Sequence, residues 1–244
     1  YRRKAARIIE VPRAMPLERF GRVIDASTVP VDDVAEEVAR VVFSGGTVIL
    51  PNDTSYLLGC DPYDYEAIDR VYVAIGRPDN RPLTMHVPTA QEFLEYAADN
   101  PLAAHAAKRL LPAPVILLIR KPAFVSDELA AGLHTLAFRV PDDPFARALL
   151  NRCGPIAGTT ANPRGGPRYA GGADRSMLPP ADLLVEHGPT RYNDESSIVD
   201  LSGTHARLLR EGVISEKRLT ELLGPIERPT VKVRTVSSTS SGQA

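Results

Sequence analysis

Short, wholly apolar runs alternate with longer segments whose apolar residues recur at helical spacing, and this alternation limits the chain to a layered α/β fold. Thr47-Val48-Ile49-Leu50 and Val115-Ile116-Leu117-Leu118-Ile119-Arg120 are too short for stable helices and too apolar for solvated strands. Strands covered on both faces read this way. Ahead of the first run, residues 28–43 carry Val31, Val34, Val38 and Val42 on one helical face. Thr28 or Ser27 is placed to cap that helix, Pro30 sits in its first turn, and Asp32, Asp33, Glu36 and Glu37 suit its positive end. Ser44-Gly45-Gly46 ends it, since glycine accepts the left-handed C-cap. The pattern then predicts helix at 65–75, strand at 83–87, helix at 89–110 with a break at Pro101, strand at 136–140, helix at 143–152 and strand at 155–160. Segments 182–186, 197–201 and 207–214 read as strands, and Ser215 caps a last helix ending at Leu223. The late run of strands predicts an open, twisted mixed sheet with flanking helices.

The 244 residues fit one large domain with small appendages. The expected division is a basic N-terminal extension at 1–27, a folded domain at 28–224 and a disordered Ser/Thr/Gly-rich tail at 225–244. Residues 1–22 hold seven basic residues against two acidic ones, which reads as a solvated arm or a contact to nucleic acid. Residues 161–180 are rich in Gly, Pro and Arg and read as a long loop, a possible lid. No apolar run reaches 18 residues, and none follows the N-terminal charges, so neither a membrane span nor a secretory signal is expected. Cys60 and Cys153 lack metal-ligand spacing, and one disulfide between them is possible. A reducing, cytoplasmic setting is the expectation. Trp is absent and aromatics make up 6% of the chain, which argues against a stacking platform for single strands.

Several kinds of chemistry are missing from the sequence. It contains no Walker phosphate loop, no G-x-G-x-x-G after a strand, no G-x-S-x-G elbow and no H-E-x-x-H. The five histidines are scattered, so no metal site built from protein side chains is expected. What remains is a set of hydroxyl, amide and guanidinium groups at strand ends, where open α/β sheets bind ligands. Pro51-Asn52-Asp53-Thr54-Ser55-Tyr56 follows the first strand, Arg77 to Arg81 lies between a helix and a strand, and Arg139 ends a strand. Thr159-Thr160-Ala161-Asn162 leads into the glycine-rich loop, and Ser196, Ser197 and Arg210 come late. Arginine forks suit phosphate and carboxylate oxygens, so together these groups point to an anionic ligand.

The chain resembles the YrdC/YciO family of threonylcarbamoyl-adenylate synthases over residues 28–224. The resemblance rests on seven ordered motifs: GGTVILPNDTSYLLGCD at 45–61, VYVAIGRPDNRPLTMHV at 71–87, LLPAPVILLI at 110–119, LAFRVPDDPFARALL at 136–150, PIAGTTANPRGG at 155–166, SSIVDL at 196–201 and LLREGVI at 208–214. It implies a YrdC-like (RibB-like) α/β fold with a concave, positively charged ligand face. It also implies a nucleotidyltransferase that joins L-threonine, bicarbonate and ATP, with Mg²⁺, into threonylcarbamoyl-AMP. That product feeds threonylcarbamoyl modification of adenosine in tRNA. The implied partners are the proteins of that transfer and tRNA or double-stranded RNA. Residue by residue, the resemblance places Thr54, His86, Arg139 and Ser196 on the threonine side. It places Arg77, Arg81, Thr160, Asn162, Arg168 and Arg210 around ATP, with Arg77, Thr160 and Asn162 closest to the chemistry.

The sequence departs from the family pattern at named positions. The family's K-x-R reads Ile75-Gly76-Arg77, its usual Ser-Ala-Asn reads Thr160-Ala161-Asn162, and a threonine expected after P-G-P is Ile116. Asn52, Leu57 and Arg81 also stand where the family has other residues. Only 5 of the 29 basic residues are lysine, and none lies in these motifs to replace the one lost at position 75. Two alternatives therefore stand beside the synthase: a carbamoyl- or acyl-adenylating enzyme of another pathway, and a non-catalytic nucleotide- or RNA-binding member.

Overall fold

The structure, a computed structural model, describes residues 19–229 apart from 77–81, 128, 163–165, 167, 173 and 193. The strands are β1 (Phe20–Asp25), β2 (Val48–Leu50), β3 (Leu57–Cys60), β4 (Thr84–His86), β5 (Val115–Arg120), β6 (Thr135–Arg139), β7 (Ile156–Thr160), β8 (Ala181–Glu186), β9 (Ser197–Asp200), β10 (Ala206–Arg210) and β11 (Ile226–Glu227). The helices are α1 (Val31–Phe43), α2 (Tyr65–Ile75), α3 (Ala90–Tyr96), α4 (Pro101–Leu110), α5 (Pro144–Cys153) and α6 (Glu216–Leu223). The strands form one sheet in the order β1-β8-β2-β3-β7-β4-β6-β5-β9-β10-β11. It is mixed as expected: β4–β6 and β5–β9 are parallel, while β3–β7, β4–β7 and β5–β6 are antiparallel.

Side chains of a strand alternate between the two faces of a sheet, and here the faces have different fates. On one face Ile49, Leu58, Met85, Leu117, Phe138 and Leu184 join a core with α2, α3, α4 and α6. On the other, Val48, Leu50, Leu57, Ile156, Leu183 and Val185 pack under α1 and α5. Helices α1 and α5 cover only the β1–β8–β2–β3 half of their face. The same face of β4, β6, β5, β9 and β10 is left to form a cavity. In β5 the alternation is direct: Val115, Leu117 and Ile119 are buried, and Ile116 and Leu118 are half-buried.

Local chemistry fixes most of the helix ends. Asp64 caps α2 by accepting from the Glu66 and Ala67 amides, and Gly76 closes it in the left-handed conformation at φ 58°. Asn100 caps α4 just ahead of Pro101, which explains the break expected there. Ser215 caps α6 as expected.

Four expectations are corrected. The cap of α1 is Pro30, with no side-chain cap bond. Thr28 and Ser27 instead close a turn on Asp25: Thr28 Oγ1 donates to its carbonyl at 2.9 Å and Ser27 Oγ to Oδ1 at 2.6 Å. The folded domain begins before residue 28, because β1 pairs in parallel with β8 as an edge strand whose exposed Arg22 gives it a basic look. Strand β3 falls in a stretch given no element by the sequence pattern, and the short β11 pairs with β10 inside the expected tail. The strand expected at 207–214 ends at Arg210. Residues 1–18 of the basic arm and 230–244 of the tail lie outside the described residues. Cys60 and Cys153 are free, and they sit in cores on opposite faces of the sheet. Among the described residues no helix is long and apolar enough to cross a membrane.

Leu149 is fully buried between α5 and α1. Leu149→Ala is expected to lower stability by about 2–5 kcal/mol, read as a shifted urea midpoint with an unchanged slope. An unchanged midpoint would mean that the α1–α5 layer does not hold the fold.

Candidate functional site

Strand register builds the site. Gly158, Thr84, Ala137 and Leu118 are direct partners across β7, β4, β6 and β5, so they share one face and form a row. Ile116, Ile198 and Arg210 form a second row across β5, β9 and β10. His86 pairs with Arg139 at the ends of β4 and β6. These rows floor a cavity of about 370 Å³, which is also lined by Thr54, Tyr56, Thr160, Arg168, Asp194, Glu195 and Ser196. Gly158 keeps the floor flat: a Cβ there would come within 2.6 Å of the Leu58 carbonyl oxygen.

The loop between β2 and β3 supplies the deepest charge. Asp53 is 0% exposed and ion-paired to Arg139, which is 5% exposed. Asp53 Oδ2 also accepts the Asp142 amide at 2.9 Å, and its backbone carbonyl accepts the Tyr192 amide at 2.9 Å. Arg139 Nη1 donates to Ser196 Oγ at 2.5 Å. Its Nε is buried with no partner. Burial raises the Asp53 carboxyl and lowers the Arg139 guanidinium, and their mutual attraction opposes both shifts. His86 is buried beside them, with Nδ1 3.0 Å from the Thr84 carbonyl oxygen. Burial, and then the Arg139 charge, pull its pKa from 6.5 down to about 3, so its ring is neutral at ordinary pH.

Tyr56 ties the surrounding loops to this floor. Its hydroxyl donates to the Gly188 carbonyl at 2.9 Å and accepts the His187 amide at 3.0 Å. Its backbone bonds to Tyr169 and Ala161 at 3.0 and 2.8 Å, and its ring meets Tyr169 edge-on. Tyr169 hydroxyl and Arg175 both reach Glu186, so the loop expected at 161–180 is anchored where it is described.

Of the expected residues, Thr54, His86, Arg139, Ser196, Thr160, Arg168 and Arg210 line this one cavity. Asn162 is displaced from that lining: it sits two residues beyond Thr160, and its side-chain amide donates to the Gly166 carbonyl at 3.0 Å. Arg77 and Arg81 lie outside the described residues. Ile75, which stands at the lysine of the family pattern, is buried in the core on the inner side of α2. Sequence reasoning missed Asp53, whose one signal is a carboxylate directly after an apolar strand. It also missed Asp194 and Glu195, which read as surface charge. Arg210 Nη1 lies 3.2 Å from Glu195 Oε2, and Arg168 Nη1 lies 3.5 Å from Oε1.

A family model described as telomere recombination, for Sua5, YciO and YrdC, matches residues 40–212. The chain belongs to the Sua5/YciO/YrdC family. Curated relatives in it include a threonylcarbamoyl-AMP synthase of Bacillus subtilis, 30% identical over 80% of this chain and 58% of that protein. Another, from Pyrococcus abyssi, is 30% identical over 82% of this chain and 60% of its own length. The chain therefore spans about three fifths of these Sua5/YciO/YrdC relatives. Pyrococcus abyssi Sua5, in a crystal structure complexed with L-threonine, superposes with a TM-score of 0.75 at 27% identity, covering 86% of this chain and 62% of that one. Escherichia coli YciO shares the fold, with a TM-score of 0.69 at 24% identity over 83% of this chain and 99% of that one.

Asp53→Asn leaves the Arg139 charge buried without its counter-ion. The expected loss is about 3–5 kcal/mol of stability, measured by urea unfolding at pH 7; a loss under about 1 kcal/mol would show that the pair is dispensable. For His86, the unfolded state takes up a proton below pH 6.5 that the folded state refuses until pH falls to about 3. Stability is therefore lost as pH falls through that window, by about 1.4 kcal/mol per pH unit from this one group. Comparing wild type with His86→Asn at pH 7 and pH 5 isolates the effect: the wild type should lose about 2 kcal/mol more. Parallel losses in the two proteins would refute the buried neutral ring.

Proposed function

We propose that this cavity joins L-threonine, bicarbonate and ATP into threonylcarbamoyl-AMP and releases pyrophosphate, as a nucleotidyltransferase step in making threonylcarbamoyladenosine in tRNA. The observation that carries the reading is Arg139, a guanidinium fixed by Asp53 and Ser196 with its buried Nε unsatisfied at the wall of a cavity that also holds Arg168 and Arg210. A fixed guanidinium with a donor to spare seats a carboxylate, and two more arginines in the same cavity suit a polyphosphate. The likeness to the Sua5 structure complexed with L-threonine supports the amino-acid half of the reading.

In this reading Arg139 takes the threonine carboxylate, and the Thr54 and Ser196 hydroxyls lie beside it. The neutral His86 ring adds no positive charge that would hold the amine off. The amine attacks the bicarbonate carbon and water leaves, giving the N-carboxy compound. A carbamate oxygen then attacks the α-phosphorus, the bond to the β-phosphate breaks, and pyrophosphate departs. Arg168, Arg210 and Thr160 serve the phosphates from the cavity wall, with Arg77, Arg81 and Asn162 in support. Alignment and charge neutralisation carry the step, with no covalent enzyme intermediate. Mg²⁺ bound with ATP would supply further neutralisation of the charge on the leaving pyrophosphate, beside Arg168 and Arg210. No group of three or more His, Cys, Asp or Glu among the described residues forms a cage for it. The mixed anhydride product is prone to hydrolysis, so the proposed partners are the proteins that pass the group to tRNA, together with tRNA or double-stranded RNA, in the cytoplasm.

Ile116 favours a second reading. With Leu118, Ala137, Ile198 and Leu209 it makes one wall of the cavity apolar where the family pattern has a hydroxyl. That wall suits an amine more apolar than threonine, in a carbamoyl- or acyl-adenylating enzyme.

Pyrophosphate release from ATP, bicarbonate and a panel of amino acids separates the readings. Threonine is expected to drive release, and Arg139→Gln to lower kcat/KM for threonine about 10²-fold with a much smaller change in the KM for ATP. Release with an apolar amine alone supports the second reading, and no release with any amine sinks both.

A further inference from the structure

The two arginines on the phosphate side already hold carboxylates. Glu195 bridges them, with Oε2 3.2 Å from Arg210 Nη1 and Oε1 3.5 Å from Arg168 Nη1, and Asp194 Oδ1 lies 3.7 Å from Arg168 Nη2. All four residues line the same cavity. A carboxylate shared by two guanidinium groups offers them the paired oxygens that a phosphate would.

The backbone under these acids is fixed, whereas their side chains are not enclosed. The Val213 amide donates to the Glu195 carbonyl at 2.9 Å, and Arg210 Nε donates to the Ser196 carbonyl at 3.0 Å. Gly212 lies so close that a Cβ would come 2.2 Å from the Glu195 carbonyl oxygen. The Glu195 and Asp194 side chains are nevertheless 50% and 62% exposed, and ion pairs exposed to that degree are weak. The Glu195 carboxylate can therefore swing away while the strand ends stay in place, whereas Asp194 Oδ1 also accepts the Glu195 amide at 2.6 Å.

We propose that Glu195, assisted by Asp194, sets the affinity for anions on the phosphate side of the cavity: it occupies the anion seat of Arg168 and Arg210, and a polyphosphate binds by displacing it. The proposal rests on the nucleotide reading above. Binding is then an exchange of one anion for another. The exchange weakens every anion that must take this seat by the same factor, so only a ligand with further phosphate contacts, such as a triphosphate, still binds tightly.

Calorimetric titration of ATP, AMP and inorganic tripolyphosphate into wild type, Glu195→Gln, Glu195→Ala and Asp194→Asn tests this. Both Glu195 variants should bind ATP and tripolyphosphate about tenfold tighter, and Asp194→Asn about two- to threefold tighter. AMP should gain by no more than the same factor as ATP, since both are relieved of the same competitor. Unchanged or weaker tripolyphosphate binding in both Glu195 variants overturns the exchange. ATP binding to wild type without tightening in the variants also overturns it, and leaves the nucleotide reading intact. Tighter tripolyphosphate binding with no ATP binding to any of the proteins supports the exchange and overturns the nucleotide reading.

Discussion

Two opposite charges, Asp53 and Arg139, meet where water does not reach. Taking either ion out of water costs several kcal/mol, and the attraction between them offsets that only if their remaining donors and acceptors are also satisfied. The fold is arranged around that requirement. The Asp142 amide at the entry to α5 and the Ser196 hydroxyl ahead of β9 complete the pair. The Tyr192 amide holds the Asp53 carbonyl. Three stretches distant in sequence, around residues 53, 139–142 and 192–196, thus converge on one ion pair. Apolar residues could hold the same segments together, but they would leave nothing like Arg139, a guanidinium in the cavity lining whose buried Nε has no partner among the described residues.

That guanidinium lines a cavity because the sheet is covered unequally. Helices α1 and α5 pack over Val48, Leu50, Leu183 and Val185 and leave the same face open beyond β7. Strand alternation then decides what the open face shows. Met85, Phe138 and Leu117 point into the opposite core, so Thr84, His86, Ala137, Arg139, Ile116 and Leu118 must point into the cavity. A one-residue slip in any of these strands would exchange the two sets. The full core on the helix-covered face therefore enforces the position of every polar group on the open one.

This is also why the layout was so legible in the sequence. Helix α2 and strand β5 match their expected bounds because their apolar spacing and caps agree, and of the seven expected site residues that meet in one cavity all but the loop residues Thr54 and Arg168 lie in or beside the ends of strands. The failures share a cause as well. Strand β1 is half exposed and carries Arg22, so as an edge strand it reads like a charged arm. Strand β3 follows a polar turn and contains Gly59, a residue that strand patterns disfavour, yet a Cβ there would come within 3.0 Å of the Ala157 carbonyl oxygen. Asp53, Asp194 and Glu195 depend on partners 86, 26 and 15 residues away, respectively. Carboxylates with such remote partners carry no periodic signal, and only the tertiary fold distinguishes them from solvated charge.

The missing lysine takes on a structural meaning in this setting. Ile75 does not leave a gap at the end of α2; it is buried in the core, and the Gly76 cap follows it directly. A lysine at that position would have to run its chain past the same packing to bring its charge to the ligand face, whereas isoleucine completes the packing and gives up the charge. Positive charge on the phosphate side then rests, among the described residues, on Arg168 in a loop and Arg210 at a strand end, and acids of the same cavity hold both. A buried lysine attracts any anion. Arginines already engaged by carboxylates respond to an anion only when it carries enough charge and the right oxygen geometry to replace them. The change therefore trades attraction at a distance for a threshold on contact.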